Sequence, residues 1–211
     1  MSAGADYDPG MTRLIPVNEI GRSGELFADT GAVEATDHLQ DSLTAAIALA
    51  NTFGSTMRQG RPARAVDAAA VDAVLRLTTK RPPAVDPTGY ENGAKTLYDA
   101  LSALPDVDAA AALVNRLLQE TKAAPQLTRD VGEPWHLHFG SPDAAAGWLA
   151  EFATAVAMLL GSAELERVRR CAAARCDDLF LDSTRSRTQR FCSTACQNRT
   201  KVAAHRAKTS T

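Results

Sequence analysis

Apolar residues recur at helical spacing through most of the first 160 positions, and Gly and Pro mark the breaks between them. From near Glu34 to Gly54, the positions Leu39, Leu43, Ala46, Ile47 and Ala50 form one stripe. They predict a long first helix, with Thr36 or Asp37 as its cap. Gly60-Arg61-Pro62 reads as a connector. Val66, Ala70, Val71, Val74, Leu75 and Leu77 predict a helix over Ala63–Thr79, ended by Pro82-Pro83, with Ala84–Gly89 as loop. A short helix is expected over Ala94–Leu104, broken by Pro105. Asp106 or Asp108 opens the next, which turns Leu113, Leu117 and Leu118 inward and runs to about Ala123. The period then changes from helical to alternating. Gln126–Arg129 and Trp135–Phe139 read as a hairpin around Val131-Gly132-Glu133-Pro134. Trp135, Leu137 and Phe139 fall on one face, His136 and His138 on the other. Ser141-Pro142-Asp143 starts the most apolar helix, Ala144–Leu160, with Ser as N-cap, Pro at the first helical position and an acid in the first turn. Its Trp148, Leu149, Phe152, Val156, Leu159 and Leu160 make it the centre of the expected core. It ends at Gly161, and Ser162–Arg170 reads as a helical connector.

Composition adds limits to this pattern. The chain has 211 residues, 45% apolar and only 5% aromatic, so its core must be mostly Ala, Leu and Val. That length suffices for one substantial core and a small module. No run of eighteen apolar residues occurs, which argues against a membrane-spanning helix. The first residues are acidic and polar rather than basic then apolar, so no secretion signal is read and a cytoplasmic location is expected. Residues 1–24, with Gly4, Pro9, Gly10, Pro16, Gly21 and Gly24, are read as a mobile arm, and Met11 stands beside Met1 as a candidate start.

All four cysteines lie near the C-terminal end, at Cys171, Cys176, Cys192 and Cys196: C-x4-C, fifteen residues, then C-x3-C. Two close pairs separated by a medium loop is the pattern of a four-thiolate zinc site. Each pair wraps one turn around the metal, and the two together complete a tetrahedron. Between them, Leu179–Leu181, the turn residues Asp182-Ser183-Thr184 and the return at Arg190-Phe191 predict a β-hairpin. Ser193 or Thr194 caps a helix over Ala195–Lys208, which holds neither Gly nor Pro. Knuckle, hairpin and a helix carrying the last ligand make a treble-clef finger. Two disulfides are the alternative; they suit secreted chains. His136-x-His138 supplies two imidazoles without a third ligand at a recognisable spacing, so it is read as polar surface rather than as a metal site.

Charge separates the chain into two parts. From Glu166 onward there are 11 Lys and Arg against 4 Asp and Glu, a net of +7, while residues 1–165 carry 12 against 21, a net of −9. On the predicted last helix Asn198, Lys201, His205 and Lys208 share one face, flanked by Arg199 and Arg206. The inner loop adds Arg185, Arg187 and Arg190. A cationic module built on a zinc helix is the electrostatic footprint of a nucleic-acid binder. These nine residues are the candidate contacts; a solvated face, or docking onto the acidic remainder, is the alternative.

The segment Cys192-Ser-Thr-Ala-Cys196-Gln197-Asn198-Arg199, followed by Lys201-Val-Ala-Ala-His205-Arg206, resembles the signature of CGNR zinc-finger proteins. The resemblance extends upstream through Trp135–Phe139, residues 143–160 and Gly161–Val168, and thins out before residue 90 apart from Ala50-Asn51-Thr52. It implies a bacterial protein with an N-terminal ABATE domain and a C-terminal treble clef, in a family regarded as stress-linked transcription regulators. Gln197 stands where the family has the Gly of its name, which puts any contact that needs glycine in doubt.

The expected architecture is therefore mostly α with a small β-hairpin. It comprises the arm 1–24, an ABATE-like helical domain over 25–165 and a zinc finger over 166–211. The expected function is a zinc-dependent DNA-binding transcription regulator, with one structural zinc ion, DNA as partner, and a helical domain that binds a small-molecule effector or forms a homodimer. A protein-interaction or RNA-binding module is the alternative. No phosphate-binding loop, dinucleotide fingerprint or nucleophile elbow is present in the sequence, and a four-thiolate zinc has no open position for water, so no enzyme is expected.

Overall fold

The computed structural model describes residues 32–78, 85–122, 124–129, 135–140 and 143–209. The arm 1–24, Pro82-Pro83, the turn Val131–Pro134 and Ser141-Pro142 lie outside them. Four helices make the body: α1 (Ala32–Gly54), α3 (Thr88–Ala103), α4 (Val107–Thr121) and α5 (Ala144–Leu160), with the short α2 (Ala68–Leu75) beside α1. α1 packs on α3 and α5, and α4 packs on α3 and α5. Ala45, Ala46, Leu49 and Ala50 of α1 are buried, as are Leu149, Phe152, Ala153 and Val156 of α5. Small residues on α1 and α5 let the helices approach closely, which is how a chain poor in aromatics fills its core.

Several boundaries depart from the sequence reading. α1 already runs at Ala32, so Thr36 and Asp37 lie inside it rather than at its cap. The helix expected over Ala63–Thr79 shrinks to Ala68–Leu75, because the Asp67 side chain accepts the Ala70 N–H and fixes the start there. The supposed connector at Gly60–Pro62 is half of a two-stranded hairpin, β1 (Met57–Arg58) with β2 (Arg61–Pro62). Gln59 and Gly60 between them both have positive φ, 48° and 89°, as the tightest two-residue hairpin turns require. α3 begins six residues earlier than expected: Asp86 accepts the Thr88 N–H, and Tyr90 and Ala94 are buried. Its two glycines look like breakers in sequence, but tertiary burial overrides them. Asp106 caps α4 as expected, but the cap of α5 is Asp143 rather than Ser141: its carboxylate accepts the Ala145 N–H, so the acid expected in the first turn is the cap itself, two residues later in the chain.

β3 (Ala124–Thr128) and β4 (His136–Gly140) pair antiparallel, with Leu127 opposite Leu137. Of the face expected to be apolar, Phe139 is buried, while Trp135 and Leu137 remain exposed. His138 points toward α5, its Nδ1 4.0 Å from Glu151 Oε2, and Glu151 also accepts the Ser42 hydroxyl at 2.7 Å. The expected helical connector over Ser162–Arg170 is one 3-10 turn, Leu165–Arg167, followed by strand β5 (Val168–Arg170).

Candidate metal centre

β5 pairs with β6 (Leu179–Leu181), and the first cysteine pair sits in the loop between them. Cys171 N–H donates to Asp178 O at 2.9 Å and closes that loop. The hairpin expected inside the long spacer is therefore formed one step earlier, around the knuckle. The reason is Asp182, which is fully buried. Its carboxylate accepts the Thr184 N–H and hydroxyl and the Gln189 N–H, so the chain after β6 winds around this side chain instead of returning along it. Burial works to raise the Asp182 carboxyl, but these donors and Arg169 outweigh it and hold it below the ordinary range. The return at Arg190 reaches the knuckle, accepting the Ala172 N–H at 2.9 Å.

The second pair is carried by α6 (Thr194–Thr209). Ser193 is its cap: the hydroxyl accepts the Cys196 N–H and its carbonyl accepts the Gln197 N–H. The four sulfurs lie within 4.8 Å of one another. Cys176 and Cys192 Sγ are 3.8 Å apart, Cys192 and Cys196 Sγ 3.7 Å. A tetrahedron of sulfurs at about 2.3 Å from zinc has edges of about 3.8 Å. A disulfide would bring two sulfurs to about 2.05 Å, and all four cysteines are free. The donor set thus fits one structural zinc ion, which would crosslink the knuckle to α6 and leave no open coordination position.

The sulfurs also receive N–H groups, which favour thiolates over thiols. Gln59 donates to Cys176 at 3.4 Å, Cys192 to Cys171 at 3.4 Å, and the Arg199 guanidinium to Cys196 at 3.7 Å. Without metal, burial pushes the Cys176 thiol up to about 11 and also raises Cys192. Burial acts the same way on Cys196, but the Ser193 hydroxyl and the neighbouring thiols outweigh it and lower that group.

The body grips the knuckle through residues 51–60, which the sequence reading did not single out as part of this centre. The Asn51 carboxamide donates to Leu179 O and accepts Leu179 N–H. Ser55 and Arg58 donate to Asp178, while Thr56 and the Met57 N–H donate to Asp177. The Tyr98 hydroxyl donates to Asp177 O at 2.8 Å. Leu179 belongs to the main hydrophobic core, so the finger and the helical body share packing. The sequence signals were the Asn at 51, the Gln-Gly turn at 59–60 and the paired Asp177-Asp178 directly after a ligand. None of them names its partner.

The candidate nucleic-acid contacts differ in their exposure and in what holds them. Asn198, Lys201, His205 and Lys208 are exposed on α6, and Arg206 is exposed beside them. Arg199 is half-buried and donates to Ala174 O at 2.9 Å as well as to Cys196, so it helps to build the centre. Arg187 pairs with Glu164 at 2.8 Å. Arg190 lies over the Phe191 ring, and Arg185 is exposed with no ion pair among the described residues. The four cysteines are the only cluster of three or more potential metal ligands among the described residues; His138 has Glu151 and no further one. Among the described residues, no helix is long and apolar enough to cross a membrane.

Residues 167–209 match the CGNR zinc finger family model, a stretch that spans both cysteine pairs and all of α6. No curated protein matches the chain. Gln197, at the family's glycine position, is exposed in the first turn of α6, and its φ is not positive, so this backbone does not require glycine there.

Proposed function

We propose that this chain is a zinc-dependent DNA-binding transcription regulator, not an enzyme, acting in the cytoplasm. The finger would hold DNA, and the helical body, read as an ABATE domain, would sense a small-molecule signal or dimerise. One observation carries the reading. α6 has a single buried residue, Cys196, and every residue from Lys201 to Thr209 is exposed. A helix without an apolar face gains little from the core behind it and is marginal in water. Its exposed face carries Asn198, Lys201, His205 and Lys208. That is the complement of a phosphate-lined groove, where Asn pairs with adenine and the cations neutralise phosphates. RNA is less well served: Phe180 is buried and Phe191 is half-buried, which leaves the finger little aromatic surface for base stacking.

A protein-interaction reading has one observation of its own. Leu127, Trp135 and Leu137 are 66%, 60% and 44% exposed on the β3–β4 hairpin, an apolar surface away from the metal. Selection of zinc-loaded protein against a random duplex library, with a Cys192→Ser/Cys196→Ser control and a salt series, separates the readings. A motif enriched by the wild type and lost in the control supports the regulator. Absence of duplex binding at low salt would sink it and favour the apolar surface as the working face.

A further inference from the structure

The β1–β2 hairpin belongs to the body in sequence but ends on the finger. Gly60 N–H donates to Arg175 O at 2.9 Å, and Asp177 N–H donates to Met57 O at 2.8 Å. A Cβ added at Gly60 would stand 3.0 Å from the Arg199 guanidinium, so the turn lies directly against that side chain. Arg61, the next residue, is exposed, as is Arg175, which holds a positive φ of 59°. Neither has a carboxylate partner among the described residues. The adjacent acids are already engaged: Asp177 by Thr56 and the Met57 N–H, Asp178 by Ser55 and Arg58. Arg61, Arg175 and Arg199 thus come from three segments that meet at one junction; Arg199 is answered by Cys196 Sγ, whereas Arg61 and Arg175 have no ion pair there among the described residues. Gathering like charges is unfavourable unless an anion answers them.

We propose that Arg61 of the body and Arg175 of the knuckle form a second phosphate-contact site beside α6, so that body and finger hold one DNA duplex together. This rests on the DNA-binding reading and names where the contacts outside α6 come from. The chemistry recognised is the phosphodiester backbone: two exposed arginines whose main chain is fixed by the β1–β2 ladder and the Gly60–Arg175 hydrogen bond, carrying no sequence information but fixing how the helix enters the groove. A single small finger seldom holds a specific site alone, and a rigid extension from its own scaffold adds contacts at little cost in order.

The test uses the full-length, zinc-loaded chain and a fluorescent 20-base-pair duplex over a salt series. The variants are Arg61→Ala, Arg61→Lys, Arg175→Gly, Lys201→Ala and, as a remote control, Arg116→Ala, whose residue is exposed on α4. Glycine at 175 suits the positive φ, so that variant removes charge without straining the knuckle. Arg61→Ala and Arg175→Gly should each bind about threefold to tenfold more weakly and reduce the salt slope by about 0.9, with zinc content unchanged. Arg61→Lys should retain most of the slope, and Arg116→Ala should match wild type. If both variants bind like wild type while Lys201→Ala does not, the composite site is wrong and the DNA reading stands. If the wild type binds no duplex at low salt, the DNA reading falls and the composite site falls with it.

Discussion

The carboxamide of Asn51 on α1 pairs with the backbone of Leu179 on β6 in both directions, at 2.8 Å to the carbonyl and 2.7 Å from the N–H, across 128 residues of sequence. This is the bond pattern of a β-ladder supplied by a side chain. It satisfies the inner edge of a strand that enters the main core with Leu179. Asn51→Ala leaves a buried donor and a buried acceptor unpaired and should destabilise the chain by about 2–4 kcal/mol. Denaturant unfolding measures it. A loss below the error of that measurement would mean that water replaces the amide and the finger is held elsewhere.

Gly54, at the end of α1, lies flat against Tyr98: a Cβ there would be 2.1 Å from Tyr98 Cγ. Because Tyr98 also donates to Asp177 O, displacing its ring pulls on the knuckle. Gly54→Ala should cost about 1–3 kcal/mol by overpacking and weaken zinc retention as well. Gly161→Ala, where the nearest atoms to an added Cβ are 3.8 Å away, should do neither. Thermal unfolding and zinc release from the two variants, measured side by side, give the comparison.

Zinc loading should depend on pH with a definite sign. Burial raises the metal-free thiols of Cys176, to about 11, and of Cys192, so both carry protons at neutral pH when no metal is bound. Zinc must displace those protons, so its affinity rises with pH and falls on acidification. Chelator competition at pH 6, 7 and 8, corrected for the chelator's own protonation, should show weaker binding at each more acidic step. A flat profile would contradict protonated metal-free thiols.

Arg199 and Lys201 should separate structure from binding. Arg199 donates to Ala174 O and to Cys196 Sγ, whereas exposed Lys201 makes no ion pair among the described residues. Arg199→Ala should lower zinc affinity, whatever it does to DNA. Removing a group that hydrogen-bonds to a metal ligand typically costs about 10- to 100-fold in affinity. Lys201→Ala should leave zinc content alone and reduce only the salt-dependent part of duplex binding. Equal zinc affinities for the two variants would remove Arg199 from the centre.

The local chemistry was legible from the chain alone wherever neighbours in sequence act on one another. The four ligands, the Ser193 cap, the polar face of α6, the pairing of β3 with β4 and the apolar helix α5 all rest on spacing, period and capping, and spacing survives folding unchanged. The misreadings arose where distant residues decide. The hairpin expected after the knuckle closes around it instead, because the buried Asp182 holds the following turn, and no local pattern reveals that a carboxylate will be buried. Arg199 and Arg187 looked like free cations and are engaged by a carbonyl and a thiol in one case and a glutamate in the other. The connector at Gly60 became a clasp because its hydrogen-bond partners lie more than a hundred residues away. By itself, then, the sequence determined that this chain has helices, a hairpin and a zinc finger, since those follow from short-range geometry and thiolate chemistry. Only the tertiary structure decided that the finger is joined to the body through Asn51, Tyr98 and the β1–β2 turn. Buried donors and acceptors must find partners, and which partners they find depends on how the whole chain packs.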